Sequence, residues 1–340
     1  MKVGDGVARN GRPTLEQVAA SARVSRSTVS RVVNGEPYVS EAVRDRVNRV
    51  IERLGYLPNP AARTLVTQRT GSVALVFPEP DTRVFTDPFF AGIVRGVSQR
   101  LTGASMQLVL VMVQSEADHA RLERYVAAGH VDGVLLVSLH SGDPLPRALV
   151  SRGIPAVLNG RPHDGEHDLP YVDVDSRQGA ITATRHLATR GRVTIGTIAG
   201  PQDMCAGIDR LAGYRTALGR RYRRSLVAVG DFTRASGAAA MASLLADVPD
   251  LDGVFVASDL MAEGALAALR RAGRRVPDDV AVVGFDDSDS APYTDPPLTT
   301  VHQPVLRIGQ EMVRLLLAAM NDEPASSTVL PVDLVVRDSA

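Results

Sequence analysis

The sequence predicts an α/β protein in which a small helical N-terminal unit precedes a larger body of two similar lobes. One observation is an uneven charge: residues 1–70 carry 12 basic and 6 acidic side chains, although the whole chain of 340 residues has 38 of each kind. A second is the alternation, further along, of short apolar runs typical of strands with longer segments typical of helices. A third is a repeat, because VDGVLLVS at 131–138 returns as LDGVFVAS at 251–258. A basic unit joined to an acidic body suggests that the smaller unit meets phosphate and that the body has another role.

The first helix of the N-terminal unit is predicted to begin after Thr14. Gln17 follows Thr14 at the spacing of a capping box, in which the two residues bond to each other's backbone N–H groups. Apolar residues then recur at helical spacing: Leu15, Val18, Ala19 and Ala22. We therefore expect a short amphipathic helix.

A second helix follows after a three-residue turn, which is the arrangement of a helix-turn-helix. Ser25 is expected to cap this helix, and Asn34 and Gly35 are suited to a left-handed stop at its end. Because valines occupy its buried face, polar residues near its start face outward: Arg26, Ser27, Ser30 and Arg31. These are the positions that read base edges when a recognition helix lies in the major groove.

Two more helices are predicted before the body begins. One runs from Ser40 to Gly55, and its apolar stripe completes a small three-helix core. The other is a helix of one to two turns that Asn59 can cap and that has Pro60 at its first position, where proline is tolerated. A helix this short is marginal in isolation and needs a partner to form.

The body shows the pattern of parallel sheets covered by helices. Apolar runs predict eight strands: 73–77, 108–113, 131–137, 156–158, 195–198, 226–229, 254–257 and 280–283. Six segments are predicted as helices: 89–101, 117–128, 176–189, 208–218, 236–246 and 260–272. Near-continuous apolar strands imply burial on both faces of the sheet, and the internal repeat favours two lobes over a single sheet.

Side chains that follow the strands are the candidates for a ligand site, because ligands of open α/β sheets bind outside the carboxyl ends of the strands. In a two-lobed body the default site is the cleft between facing strand ends. The candidates are Phe89, Phe90, Arg210, Phe232, Asp259 and Asp286. A guanidinium and carboxylates can form bidentate hydrogen bonds and aromatic rings stack on apolar faces, which suits a small polyhydroxylated or heteroaromatic ligand. Phe89 and Phe90 equally fit a core, and Asp259 equally fits a helix cap.

The chain resembles the lac-repressor and purine-repressor family of bacterial transcription regulators. In the N-terminal unit the likeness is carried by TLEQVAASARVSRSTVSRVVNG and VSEAVRDRVNRVIERLGYLPNPAARTL. In the body it is carried by DPFF (87–90), VDVDSRQGA (172–180), DRLAGYRTAL (209–218), GDF (230–232), SDLMAEGAL (258–266), GFDDS (284–288) and DPPLTTVHQP (295–304). The likeness covers residues 13–338.

This resemblance implies an N-terminal helix-turn-helix head-piece plus a two-lobed periplasmic-binding-protein-like effector domain. The domains are then an extension (1–12), a helix-turn-helix DNA-binding domain (13–58), a hinge helix and linker (59–70) and a bilobal effector-binding and dimerisation domain (71–340). The first lobe is expected to comprise about 71–173 and 303–330. The second is expected to comprise about 174–302 and 331–340.

The function that the resemblance implies is that of a sequence-specific DNA-binding transcriptional regulator, acting as a repressor under the control of a small-molecule effector. Its expected partners are palindromic operator DNA, a sugar or related metabolite bound between the lobes, and a second copy in a homodimer. The residues assigned to DNA are Thr14, Ser25, Arg26, Ser27, Thr28, Ser30, Arg31, Asn34, Tyr56, Asn59, Ala62 and Leu65. Leu65 is implied as a wedge in the minor groove at the operator centre. The effector contacts implied by the family are Arg210, Phe232 and Asp286.

Two residues depart from the family's pattern. Arg23 stands in the turn where the family usually has glycine, so a larger residue has to accept that backbone conformation. Ile208 replaces an arginine that is common in sugar-binding relatives, and this argues against a sugar-specific assignment.

Other function classes are disfavoured. Lys2 is the only lysine, which excludes a P-loop or Schiff-base lysine in the body. Cys205 lacks a histidine nearby in sequence, and His163 and His167 lack a third ligand, so we expect no enzyme, cofactor or metal site. Because the N-terminus lacks an apolar signal region and no apolar run is long enough to cross a bilayer, we expect a cytoplasmic protein.

Two alternatives remain open at this point. A helix-turn-helix can serve as a purely structural three-helix bundle. A bilobal sugar-binding protein of the periplasmic type, without a gene-regulatory role, has the same body fold, although the intact head-piece favours a regulator.

Overall fold

The computed structural model describes residues 13–33, 36–56, 69–162 and 168–340. The chain divides into two compact units between Thr70 and Gly71. The N-terminal unit contains α1 (Leu15–Ala22), α2 (Arg26–Val33) and α3 (Glu41–Leu54).

The predicted caps of the first two helices are confirmed. Gln17 N donates to Thr14 Oγ1 at 3.4 Å, and Thr14 N donates to Gln17 Oε1 at 2.9 Å. Ser25 Oγ accepts from Thr28 N, the third residue of α2, at 3.1 Å. These bonds satisfy backbone donors that have no partner within a helix, and so they fix where α1 and α2 begin.

The turn between α1 and α2 is built on Arg23, whose φ of +53° lies in the left-handed region. The N–H groups of Arg23 and Val24 donate to carbonyls of Ala20 and Ala19 at the end of α1. A bulky residue has therefore accepted the conformation that glycine adopts freely, at a strain of about 1–2 kcal/mol.

The core of this unit is apolar and draws on all three helices. Its buried members are Val18, Ala19, Ala22, Val29, Val32, Val47, Val50 and Tyr56. Because these side chains are small, the unit depends on the close contact of all three helices and on Tyr56, which is the one large ring in this core.

The body contains two six-stranded sheets, one in each lobe. The lobe 1 sheet consists of β1 (Ser72–Phe77), β2 (Gln107–Met112), β3 (Gly133–Leu136), β4 (Ala156–Asn159), β5 (Tyr171–Val174) and β11 (Thr328–Leu330). The lobe 2 sheet consists of β6 (Ile195–Ala199), β7 (Val227–Val229), β8 (Gly253–Val256), β9 (Ala281–Asp286), β10 (Thr299–His302) and β12 (Asp333–Val335). The strand orders are β11-β5-β4-β3-β1-β2 and β12-β10-β9-β8-β6-β7, so the two sheets have corresponding topologies.

All neighbouring strands in these sheets are parallel except β10 and β12. The carboxyl ends of the parallel strands therefore meet at one edge of each sheet. The helices of the body are α4 (Asp81–Thr86), α5 (Pro88–Gly103), α6 (Glu116–Ala127), α7 (Leu145–Ser151), α8 (Ser176–Thr189), α9 (Cys205–Leu218), α10 (Arg234–Asp247), α11 (Asp259–Arg271) and α12 (Val305–Met320).

The chain passes between the lobes at three places: from β5 to α8, from β10 to α12 and from β11 to β12. Helix α12 follows a strand of lobe 2 but packs in the core of lobe 1 through Ile308, Met312, Val313, Leu315 and Leu316. It lies close against α5, since a Cβ on Gly96 would be 2.2 Å from the carbonyl oxygen of Leu306. Each lobe is thus completed by a segment that arrives from the other.

Every strand and helix predicted for the body has a counterpart in the structure. The elements that were not predicted are β5, β10, β11, β12, α4, α7 and α12. Among the described residues, no helix is both long and apolar enough to cross a membrane.

Arg23 provides a test of the strained turn. We expect Arg23→Gly to raise the free energy of unfolding of the N-terminal unit by up to about 1 kcal/mol, because glycine relieves the left-handed strain. The amides of α1 and α2 should then be better protected from hydrogen exchange than in the wild-type protein. Hydrogen exchange of the full chain, followed by mass spectrometry, measures this. Arg23→Ala is the matched control, because it removes the guanidinium but keeps the strain. Equal protection by both variants would contradict the backbone explanation.

Candidate functional site

A cavity of about 400 Å³ lies between the lobes, where the carboxyl ends of the strands of both sheets meet. Both lobes line it, lobe 1 with residues such as Phe89 and Asp173 and lobe 2 with Arg210, Phe232 and Asp286. A cleft of this volume, with apolar walls and a few polar groups, has the size and character of a small-molecule site.

Arg210, from α9, is the most deeply buried cation of the cavity wall. It is 5% exposed, and its Nη1 donates to the Ala257 carbonyl at 2.6 Å and lies 3.5 Å from Asp286 Oδ1. Its guanidinium carbon stands 3.7 Å from the centre of the Phe285 ring. Burial lowers the pKa of Arg210, and the carboxylate of Asp286 opposes this. The guanidinium is therefore held in one position before any ligand arrives.

Asp286, the last residue of β9, is the partner of Arg210. Gln303 Nε2 donates to its Oδ1 at 2.7 Å, and Asp259 N donates to its Oδ2 at 3.3 Å. Burial raises the pKa of Asp286 well above its ordinary value, and the Arg210 guanidinium opposes that shift. Its φ of +125° is unfavourable for a residue with a side chain, and such strain gathers at binding sites.

Phe232 follows β7 and presents its ring to the cavity from a left-handed backbone with φ of +68°. The ring lies directly over Gly200, where a Cβ would be 2.3 Å from Phe232 Cζ. The guanidinium carbons of Arg83 and Arg210 lie 5.4 and 5.8 Å from the ring centre. Phe232 thus has the geometry to stack on the apolar face of a ligand.

Two of the predicted effector residues lie elsewhere. Phe90 is 1% exposed in the core of lobe 1, where its ring packs edge-on against Phe77 at 5.4 Å, and only its neighbour Phe89 lines the cavity. In α5, which begins at Pro88, successive side chains point in directions about 100° apart, so one phenylalanine faces the cleft and the next faces the core. We therefore remove Phe90 from the set.

Asp259 is also removed from the set of effector contacts. It is 1% exposed and accepts from Thr300 Oγ1 at 2.6 Å and from Ser288 N at 2.8 Å. Burial raises its pKa to about 7. The helix cap is its neighbour Ser258, whose Oγ accepts from Met261 N at 3.3 Å. Asp259 thus supports the loop behind Asp286 and is the first residue of α11.

Sequence reasoning missed several polar residues that line the cavity: Arg83, Asp87, His140, Arg161, Asp203 and Gln303. Asp87 and Gln303 stand within the segments DPFF and VHQP, which could have pointed to them. Arg83 and His140 stand in connections that carry no motif, and only the fold brings them to the cleft. Asp173, which also lines the cavity, is the last residue but one of β5, beside the first crossover.

In the N-terminal unit, the polar residues of α2 form an exposed face. Ser25, Arg26, Ser27 and Arg31 are exposed, and Thr28 and Ser30 are half-buried. Arg26 Nε lies 3.3 Å from Glu16 Oε1 in an ion pair that is open to solvent and is therefore weak. Thr14 is exposed, whereas Tyr56 is 7% exposed in the core. Asn34, Asn59, Ala62 and Leu65, with the predicted hinge helix, lie outside the described residues.

Among the residues that the structure describes, no group of three histidine, cysteine, aspartate or glutamate side chains is placed to hold a metal ion. A helix-turn-helix unit together with a two-lobed, ligand-sized cleft defines the class of ligand-responsive DNA-binding proteins.

Comparison with known proteins identifies the family. The model of bacterial regulatory proteins of the lacI family matches residues 14–59, and that of the periplasmic binding protein-like domain matches residues 184–340. The chain is 52% identical over 337 residues to the HTH-type transcriptional regulator CelR of Thermobifida fusca, with 97% of this chain and 99% of that protein covered. It is 34% identical to the HTH-type transcriptional repressor CytR of Escherichia coli K12, with 96% of each covered.

Solved structures agree with this assignment. A complex of the transcriptional regulator CelR with cellobiose is 50% identical, with a TM-score of 0.77 over 97% of this chain and 100% of that chain. The lac repressor dimer bound to operator and the anti-inducer ONPF is 27% identical, with a TM-score of 0.83 over 97% and 99%. This chain belongs to the lacI family of bacterial regulatory proteins. It is a transcriptional regulator and not an enzyme, and the predicted family and fold class are confirmed.

Gly200 offers a test of the cavity wall. We expect Gly200→Ala to push the Phe232 ring out of place, because the new Cβ would lie 2.3 Å from Phe232 Cζ, and to weaken ligand binding at least tenfold. Calorimetric titration of the full chain with the effector measures this. Gly103→Ala is the matched control, since a Cβ there has no heavy atom within 4 Å. Normal affinity in Gly200→Ala would show that the ring takes no part in binding.

Proposed function

We propose that this protein is a repressor that binds a palindromic operator as a homodimer and that releases or holds the operator according to whether a cellobiose-like sugar occupies the cavity. The observation that carries the proposal is the 52% identity of this chain, over nearly the whole length of both chains, to the regulator CelR of Thermobifida fusca. A solved structure of a regulator CelR, 50% identical to this chain, is a complex with cellobiose. A regulator of operator DNA works where the chromosome is, so we also propose a cytoplasmic location.

The chemistry of the cavity supports a neutral polyhydroxylated ligand. Arg210 and Asp286 offer a donor and an acceptor fixed 3.5 Å apart, which suits neighbouring hydroxyl groups that each donate and accept. Phe89 and Phe232 offer rings for the apolar face of a sugar ring. We propose these four residues as effector contacts, and they outweigh the objection that Ile208 replaces an arginine of sugar-binding relatives.

For the DNA site we keep the set assigned from the sequence apart from Tyr56, whose ring is buried in the three-helix core, with α2 as the recognition helix. Two copies of one short helix are needed because a single recognition helix buries too little surface to be selective, whereas two related by a two-fold axis read a palindrome. We likewise keep the assigned division into an extension, head-piece, hinge and bilobal domain. The effector acts by its differential affinity for two states of the protein.

The proposal is tested by measuring operator affinity against sugar concentration. An operator is first selected from a library of random palindromes, and fluorescence anisotropy then follows the full-length protein on it. Cellobiose should change the operator Kd by about 5-fold to 150-fold, the usual range of allosteric coupling. Maltose, which differs in the configuration of its linkage, is the control sugar. If the operator Kd did not change with cellobiose concentration, the proposed effector would be wrong.

Variants of the cavity should separate ligand response from DNA binding. Arg210→Ala and Asp286→Ala each remove one member of a buried ion pair in the cavity wall, so we expect cellobiose affinity to fall roughly 10-fold to 100-fold while operator binding persists. Arg215→Ala, an exposed arginine of the same helix α9, is the control. If both cavity variants lost operator binding, these residues would be structural instead.

The recognition helix gives a separate prediction. Arg26 stands at the start of α2, where a guanidinium can reach the O6 and N7 edge of guanine. Arg26→Ala should cost about 1–3 kcal/mol and relax the preference at one base pair of each half-site. Repeating the operator selection with the variant measures this. Arg46→Ala, an exposed arginine of α3, should leave base preference unchanged. Uniform weakening on all sequences in Arg26→Ala would mean a phosphate contact only.

A further inference from the structure

The connection between β1 and α5 carries a buried carboxylate that lies outside the family segments of this chain. Glu79 is 3% exposed, and its Oε1 accepts three hydrogen bonds. The donors are Arg83 Nη1 at 2.5 Å, Ser138 Oγ at 2.6 Å and His140 Nε2 at 3.2 Å. All four residues belong to lobe 1. Because three donors converge on one oxygen, we call Glu79, Arg83, Ser138 and His140 the hub of this connection.

From this hub His140 reaches across the cleft. Its second ring nitrogen, Nδ1, lies 2.7 Å from Oδ2 of Asp203, which follows β6 in lobe 2. Beside it, Ser141 N donates to the backbone carbonyl of Asp203 at 2.8 Å. Asp203 is 52% exposed and is thus held from one side only. Two neighbouring contacts thus join the lobes here: one between side chains and one backbone hydrogen bond.

The same hub also acts on the effector cavity. Arg83, held by Glu79, places its guanidinium between the rings of Phe90 in lobe 1 and Phe232 in lobe 2, at 5.9 and 5.4 Å from their centres. A second ion pair joins the lobes, Arg161 with Asp209 at 2.5 Å, but it lies beside Asp173, where the chain itself already crosses. The His140 contact lies in the loop that follows β3, two strands further from that crossover, and none of the three described chain crossings is on this side.

We propose that Glu79 and His140 are positioning residues for the effector response: together with Asp203 they form a latch that closes lobe 1 on lobe 2 and holds Arg83 against Phe232 in the cavity wall. The latch residues His140, Ser141 and Asp203 themselves line the cavity, so a ligand that fills it is enclosed by the latch. As a contact made only when the lobes are closed, the latch adds to ligand affinity.

Electrostatics support a charged latch. The hydrogen bond to Glu79 is the largest influence on the pKa of His140 and raises it. Burial opposes this shift, and the bond to Asp203 adds to it, so that the pKa rises from its usual 6.5 to about 9. Burial alone would raise the pKa of Glu79, but the bonds from His140, Arg83 and Ser138 outweigh it and leave that pKa lowered. The charged groups around the imidazole are thus Glu79, Asp203 and, behind Glu79, Arg83. The stabilisation that protonated His140 gives to the folded, latched protein is complete below pH 6.5 and is lost as pH rises through about 9.

The test uses Asp203→Asn in the full-length protein and two readouts. Nuclear magnetic resonance of ¹³C-labelled histidine gives the pKa of His140, whose signal is identified by its absence in His140→Gln. Loss of the Asp203 charge, which lies 2.7 Å from the imidazole, should lower this pKa by about one unit, a tenfold loss of proton affinity. Calorimetric titration with cellobiose, which rests on the proposed function, should show affinity about threefold to tenfold weaker in Asp203→Asn and in Glu79→Gln.

His119→Gln is the matched control, because His119 pairs with Asp143 at 3.5 Å within lobe 1 and should change neither readout. The latch is overturned if Asp203→Asn leaves the pKa of His140 unchanged, or if it weakens cellobiose binding no more than His119→Gln does. If the wild-type protein does not bind cellobiose, the proposed effector is wrong, and the pKa of His140 alone then decides whether the latch exists.

Discussion

The buried pair of Arg210 and Asp286 is the constraint around which the cleft is organised. Removing one partner would leave the other charge largely buried and without its partner, and breaking such a pair commonly costs about 3–5 kcal/mol. Gln303, which donates to Asp286, stands at the second crossover between the lobes, so the pair is linked to the place where the lobes join. The two charged residues that we propose as ligand contacts are therefore also tied, through Gln303, to one of the connections between the lobes.

The same region stores backbone strain. Both Phe232 and Asp286 have positive φ, and each such conformation costs on the order of 1–3 kcal/mol. Gly200 lies against the Phe232 ring, and its lack of a side chain makes room for that ring. A site built in this way is rigid before ligand arrives, so less ordering is needed on binding.

Sequence reasoning succeeded where the signal is local. The caps at Thr14 and Ser25 depend on residues three positions apart, and long apolar runs mark the central strands. It did not predict β5, β11 and β12, since strands of three or four residues carry too few positions to show a period, and it overlooked the apolar stripe of α12.

For the site, the family segments led to Arg210, Phe232 and Asp286, all of which line the cavity. The pattern could not separate Phe89 from Phe90, because the choice depends on how α5 is rotated against the sheet. Nor could it show that Asp259 lies behind Asp286, since each follows a predicted strand and only the folded structure shows that Asp259 is the more deeply buried. Glu79 and His140 are 61 residues apart, and only the parallel pairing of β1 with β3 brings them together.

The three crossings of the chain between the lobes determine which relative motions the body can make. Two rigid bodies joined by a single chain connection can rotate, slide and separate relative to each other. Each further connection removes some of these motions. With three short connections side by side, sliding and separation would stretch covalent chain, and rotation about the line of the connections is the motion that remains. Any ligand that closes this cleft therefore drives the protein along a single coordinate, and a small change of angle at the connections becomes a large displacement at the far edge of the sheets.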